Sequence, residues 1–416
     1  MQRLRLGLVG AGRRAQAHVQ SILALDDRFE LAAVCDVNAE AAAAIAQRTG
    51  AQAFADLDEF FRGGQLDAVD IVTPPDAHHV IAKAAADYGV SMLVETPIAP
   101  TRQMAALLME AAERAKVKLE VAENVWRWPA ERLARQVLES GAIGRVLRVY
   151  CLYVTGGYHA MNLIRTYLGF PQPTVVAAHV RRYPVDPYTF NGADHVDETW
   201  TSATIDFAGG ATAIHECSSS WSSPVRQAVP RFFAAHGTKG TLVSRGGVVE
   251  VGIVTDGKLQ RYSSETEWSA SGNGRTAKQL RLGPPLNLSY DNPFEPLVAQ
   301  HPELWRGGED EVARADELNS LYRAVVDNVA PEYGAENAYR DEELVVAMNE
   351  SGFAGGAAVS FPLPSVTRWE EETHAAFRRV YGVDPLADLD GARKVLFSVY
   401  GARVPAPSQP NAKSSG

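Results

Sequence analysis

The chain has 416 residues, of which 46% are hydrophobic and 22% charged, a composition that excludes collagenous and disordered classes and leaves room for two or three globular domains. Its formal charge of -10 and the lack of any Lys/Arg cluster argue against a nucleic-acid partner, because phosphate binding needs a basic surface. Cys35, Cys151 and Cys217 are too few and too scattered for a disulfide framework or a paired-cysteine zinc site, so no metal is expected.

Met1-Gln2-Arg3-Leu4-Arg5 runs straight into a short apolar segment ending at Gly10, too short for a secretory leader. No apolar run elsewhere approaches the 18 or so residues of a membrane span, so the expected location is the cytoplasm. From Leu4 to Ala122, short strands (Leu6 to Val9, Leu31 to Cys35, Ala68 to Val72, Met92 to Glu95, Val117 to Val121) alternate with helical stretches, among them Asn38 to Arg48 and Ala77 to Tyr88. This α/β alternation predicts a doubly wound parallel sheet, a Rossmann domain over residues 1–122. A helix over Pro129 to Ser140 then leads into β-rich sequence at Val146 to Val154, Thr199 to Phe207, Ala211 to Cys217 and Thr241 to Val254. Residues 123–363 are therefore expected to form an α+β domain on an open, mostly antiparallel sheet. On that sheet would pack late helices over Glu311 to Val329 and Asp341 to Glu350, with a last strand from Gly355 to Leu363. A helical extension over 364–404, including Glu370 to Tyr381, and a disordered Pro/Ser-rich tail over 405–416 complete the expectation.

The chemistry starts at the first strand-to-helix turn. Gly10-Ala11-Gly12-Arg13-Arg14-Ala15 is a G-x-G-x-x-A motif: Gly10 allows the tight turn, Gly12 lets backbone approach a pyrophosphate, and Ala15 lets helix and strand pack closely. Asp36 ends the second strand, where a carboxylate binds adenosine ribose hydroxyls and repels a 2'-phosphate, which favours NAD over NADP. Arg13 and Arg14 pull the other way, since either can instead meet a phosphate. Thr73-Pro74-Pro75 and Glu95-Thr96-Pro97 follow the next two strands, at the carboxyl edge where an α/β sheet holds its ligand, and they are expected to border the nicotinamide.

These segments, with Asp67 to His78, Gly237-Thr238-Lys239-Gly240 and Asn349-Glu350-Ser351-Gly352, resemble the Gfo/Idh/MocA family of sugar and cyclitol oxidoreductases. The resemblance implies a bound NAD, with His78 counted among the residues around it. It also implies a second domain whose sheet floors the substrate site and joins subunits into a homo-oligomer, and hydride removal from a ring carbon of a carbohydrate or cyclitol. The family carries Lys where this chain has Thr96, and a threonine hydroxyl has neither the charge nor the proton affinity of an ammonium. Where the family has Asp, His and Asp, this chain has Thr155, His159 and Asn162. His159 opens a helix, where the macrodipole favours a neutral imidazole able to accept a proton. It is the expected base, with Tyr158 beside it as the second candidate. Glu123, Asn124, Trp126 and Arg127 at the domain junction, with Asn162 and Arg165, form the expected substrate-binding set, Trp126 stacking on a ring face. The lysine-less Glu-x-Pro combined with Tyr-His is similar to the NAD-dependent glycosidases of this fold, which implies a redox-neutral glycosidase, lyase or epimerase as the alternative. A non-catalytic NAD-binding sensor is the remaining one.

Overall fold

The computed structural model describes residues 2–152, 157–190, 193–219, 232–272, 274–305 and 307–397. The expected tail at 405–416 and the Thr155 position lie outside these.

The first half of the fold is β1 (Leu4–Val9), α1 (Arg13–Ala24), β2 (Phe29–Cys35), α2 (Ala39–Thr49), β3 (Gln52–Phe54), α3 (Leu57–Gly64), β4 (Ala68–Ile71), α4 (His78–Asp87), β5 (Ser91–Val94), α5 (Arg102–Ala115) and β6 (Leu119–Val121). The six strands form one parallel sheet in the order β3-β2-β1-β4-β5-β6. Its central strands are apolar along nearly their whole length because helices cover both faces. The strand order reverses between β1 and β4, and the crevice at their carboxyl ends is where such a sheet binds ligands. One strand more is present than the five expected: β3 is three residues long and mostly exposed, so it carries no apolar run to betray it.

After α6 (Pro129–Glu139) come β7 (Val146–Leu152), α7 (Gly157–Leu168), the long pair β8 (Pro173–Phe190) and β9 (Ala193–Phe207), then β10 (Thr212–Ser218), β11 (Phe232–Gly237), β12 (Gly240–Arg245), β13 (Val248–Thr255) and β14 (Lys258–Ser263). A separate antiparallel sheet holds β15 (Glu265–Ser271), β16 (Gly274–Leu282) and β17 (Leu288–Asp291). The chain closes with α8 (Glu295–Gln300), α9 (Glu309–Val326), α10 (Gly334–Phe353), β18 (Val359–Ser360), α11 (Arg368–Tyr381) and α12 (Leu389–Leu396). The large sheet runs β14-β13-β12-β11-β7-β10-β9-β8-β18 and is antiparallel except where β7 meets β10.

Three expectations need correction. The helix predicted from Glu311, seen as α9, does not pack on the second sheet. Val312, Ala315, Leu318 and Leu321 are buried with Leu6, Leu8, Val19 and Ile22, so α9 covers one face of the Rossmann sheet. Its apolar stripe fits either partner, and only the return of the chain decides between them. The last strand shrinks to Val359–Ser360 on the sheet edge, and the helix expected at Asp341 to Glu350 grows to 20 residues. α11 and α12 come back to the first domain. Glu370 pairs with Arg102 at the start of α5, His374 bonds Thr101 at 2.9 Å, and Pro385 accepts from His79 at 3.0 Å.

Candidate active site

Gly10 has φ +103°, and a Cβ there would sit 2.2 Å from the Val72 carbonyl oxygen, so only glycine fits the turn. At Gly12 a Cβ would meet nothing within 4 Å: the turn is open on the side a phosphate approaches. Gly12 is also the N-cap of α1 and supplies no side chain to its first-turn N–H groups, which leaves them for an anion. Ala15 is fully buried against the sheet. Asp36 is aimed by backbone, accepting from Ala11 N at 2.6 Å and Asn38 N at 2.7 Å, with lone pairs left for ribose hydroxyls. In the facing loop the Thr73 hydroxyl is buried and has no protein partner among the described residues. These residues fit a dinucleotide.

His78 does not line this crevice. Its fully buried ring lies between the carbonyls of Thr73 (2.9 Å from Nε2) and Pro97 (3.1 Å from Nδ1); burial pushes its pKa down, and the neutral imidazole donates to one of the two while packing against the other. Pro74, Pro75 and Pro97 shape those loops. Arg13 is exposed, whereas Arg14 is held through Nε by Glu95.

Glu95 is the centre of a buried charge network. Besides Arg14 it accepts from His18 Nε2 at 3.1 Å, Thr96 N at 2.7 Å and the Thr96 hydroxyl at 3.2 Å. His18 reaches Asp70 on β4 at 2.8 Å through its other nitrogen. Two carboxylate partners make this ring an imidazolium: burial opposes the charge, yet Asp70 and Glu95 push its pKa up to about 9. Burial likewise opposes the Glu95 charge, but Arg14 and His18 hold that carboxyl well below its usual range. Glu317 of α9 lies close by, fully buried, with neither oxygen hydrogen-bonded among the described residues, and burial pushes it up to about 8. The sequence reading missed His18, Asp70 and Glu317. A charged residue inside the four-residue apolar strand β4 was the one available signal.

From the second domain, α7 delivers Tyr158 and His159. The Tyr158 phenol lies beside Thr96, and its pKa is raised by burial and then by Glu95 and Glu123. The Thr96 hydroxyl donates to Glu95, so a Glu95–Thr96 chain stands beside the phenol. As Glu95 is strongly held as an anion, this chain orients groups but makes a poor proton sink. His159 packs beside Tyr158, ring centres 4.3 Å apart, and its Nδ1 lies 2.7 and 2.9 Å from the two oxygens of Glu123.

The expected substrate-binding set is largely consumed by the domain junction. Trp126 is 3% exposed, with the guanidinium groups of Arg132 and Arg127 4.5 and 4.8 Å from its ring centre and Tyr333 beside it, so no face remains for a sugar. Arg127 is wholly buried among Glu332 (2.7 Å), Asp316 (3.3 Å) and Glu120 (3.4 Å). Arg165 is bound to Asp341 at 2.6 Å and to the Asn337 carbonyl at 2.9 Å. Asn124 donates to Asp310 at 3.2 Å, and Asn162 is buried beside Asp341. Glu123, 2% exposed, spends its oxygens on His159 and Val125 N. Among the described residues no group of His, Cys, Asp and Glu could hold a metal, and no helix is long and apolar enough to cross a membrane.

Residues 4–123 match the model of an oxidoreductase family with an NAD-binding Rossmann fold. Levoglucosan dehydrogenase of Pseudarthrobacter phenanthrenivorans is 34% identical over 231 residues, 51% of this chain and 59% of that protein. Inositol 2-dehydrogenase of an Arthrobacter species is 34% identical over 149 residues, 35% of this chain and 44% of that one. The chain thus spans about half the length of the curated relatives it matches. Among solved structures, levoglucosan dehydrogenase in complex with NADH and levoglucosan superposes with a TM-score of 0.66 at 22% identity, covering 87% of this chain and all of that one. The WlbA dehydrogenase from Bordetella pertussis, in complex with NADH and UDP-GlcNAcA, gives 0.62 at 19% over 87% of this chain and all of that one. These likenesses show a shared two-domain fold.

Proposed function

We propose that the chain, whose residues 4–123 match the Gfo/Idh/MocA oxidoreductase family, is an NAD-dependent enzyme removing hydride from a ring hydroxyl carbon of a sugar, glycoside or cyclitol, with His159 as proton acceptor. The observation that carries this reading is the contact of His159 Nδ1, at the start of α7, with Glu123, which lies just past β6 and 2.7 Å away; it brings the start of α7 to the carboxyl edge of the Rossmann sheet, where the nicotinamide end of a dinucleotide belongs. When bound, the dinucleotide supplies the hydride acceptor. The chain's own residues do the rest. The glycine turn and α1 N-terminus bind the phosphates, Asp36 takes the adenosine ribose, and Thr73 and Thr96 flank the reacting end. The Tyr158 oxygen orients a ligand hydroxyl, and His159 takes its proton.

Purified protein mixed with NAD and a panel of anhydrosugars, free sugars, glycosides and inositols is expected to give NADH absorbance with at least one member, and His159→Asn to remove it. Absence of NAD binding by the wild type, or full activity in His159→Asn, overturns the reading. A redox-neutral second reading draws on the adjacency of Tyr158 and His159, since elimination next to a transient ketone needs one group at the hydroxyl and another at carbon. It predicts aglycone release or isomer formation without accumulating NADH. Exposed Ile214, Val248, Val254 and Leu259 on the large sheet support a homo-oligomer joined through that sheet.

A further inference from the structure

Glu123 follows β6 directly and is almost fully buried, yet among the described residues no lysine or arginine pairs with it; its one ionic partner is His159. The nearby acid Asp341 is itself taken by Arg165 and Tyr333. Removing a carboxylate from water costs several kcal/mol, and a neutral imidazole repays little of that. As a purely structural contact the pair is a poor bargain; beside a proton-transfer site it has a clear use.

We propose that Glu123 is the positioning residue of the His159 imidazole, fixing it with Nδ1 protonated and Nε2 open to the substrate hydroxyl, and offsetting the charge that arrives there. A carboxylate offers only lone pairs, so with both oxygens within 3 Å of Nδ1 the hydrogen of a neutral ring must lie on Nδ1 and its lone pair on Nε2. The Tyr158 ring packed on His159 restrains its rotation. The first turn of α7 contains no acid of its own, so the orienting group reaches in from the domain junction. The step balances. The carbinol C–H leaves as hydride to the oxidised nicotinamide, the O–H proton goes to Nε2, and the O–H electron pair becomes the carbonyl π bond. The imidazolium so formed sits against an anion, and the pair is neutral.

The proposal rests on the oxidoreductase reading for its kinetic arm but not for its spectroscopic one. Nitrogen NMR of the wild-type protein above neutral pH is expected to show His159 as the Nδ1–H tautomer, without cofactor or substrate. Glu123→Gln, whose amide can meet either tautomer, is expected to mix the tautomers and lower kcat by roughly 10²- to 10⁴-fold, as when an orienting acid is lost from a catalytic histidine elsewhere, while the Kd for NAD stays within about twofold. Glu123→Asp is expected to keep the tautomer and recover part of kcat. An Nε2–H tautomer in the wild type, or wild-type kcat in a folded Glu123→Gln protein, overturns the proposal. A wild type inactive on every carbohydrate would sink the oxidoreductase reading while the tautomer still decides this one.

Discussion

Asp36 shows how little of a side chain's role lies in the side chain. Its carboxylate is pointed by two backbone N–H groups, those of Ala11 in the glycine turn and Asn38 at the α2 N-cap, so the turn and the ribose site are one hydrogen-bonded unit. Asp36→Ala is expected to weaken NAD binding roughly 10- to 100-fold, the worth of one or two charge-assisted hydrogen bonds, and to reduce the preference over NADP; equal affinities in titration calorimetry would refute this assignment. The same scale separates two neighbours on α7. Tyr158 is held neutral by burial and by the acids around it, which suits the orienting role proposed for it, whereas His159, engaged by Glu123 at Nδ1 alone, is the proposed proton acceptor. Arg127 and Trp126 lost their expected roles because their partners lie far along the chain, at Asp316, Glu332 and Tyr333.

Among the elements, the two loops proposed to border the nicotinamide end meet at His78, the first residue of α4, whose ring lies within 3.1 Å of a carbonyl in each and donates to one of them. A leucine at this position would fill the space and leave the carbonyl that the ring serves without its donor. His78→Leu is therefore expected to cost about 1–3 kcal/mol of stability and to weaken NAD binding without touching it. A urea midpoint and a Kd for NAD both at wild-type values would show the His78 contact to be dispensable. α9 acts at the same scale. It covers the β5–β6 side of the sheet and places Glu317 near the Glu95 network, a buried acid kept protonated near neutrality.

For the whole molecule, these buried charges set how stability responds to pH. His79 and His215, lowered to about 4 chiefly by burial, contribute stability that is present above their ordinary value and lost as pH falls through 4. Glu332, where burial is outweighed by Arg132 and Arg127 and the pKa falls to about 2, adds a further loss below the usual carboxylate range. On the other side Glu131 and Asp341 (about 7 each), Glu317 (about 8) and His18 (about 9) contribute stability that is full below their unfolded values and lost as pH rises through those numbers. The melting temperature is thus expected to peak in the mildly acidic range and to decline from neutrality to pH 9. A profile still rising between pH 7 and 9 would contradict the protonated buried acids.

The Rossmann half was readable along the chain because its cues are local: unbroken apolar strands, glycines at turns, and an acid one strand beyond the glycine motif are all set by backbone sterics and short-range hydrogen bonding. The cue for the proposed base, a histidine near a helix start, is local as well. What orients that base, which sheet face α9 covers, and whether Arg127, Trp126 and Arg165 meet a sugar or each other's neighbours are decided by groups separated by tens to hundreds of residues. A polar side chain at a domain junction reads the same in one dimension whether it is free or paired, because desolvation and ion pairing exist only after the two halves close on each other.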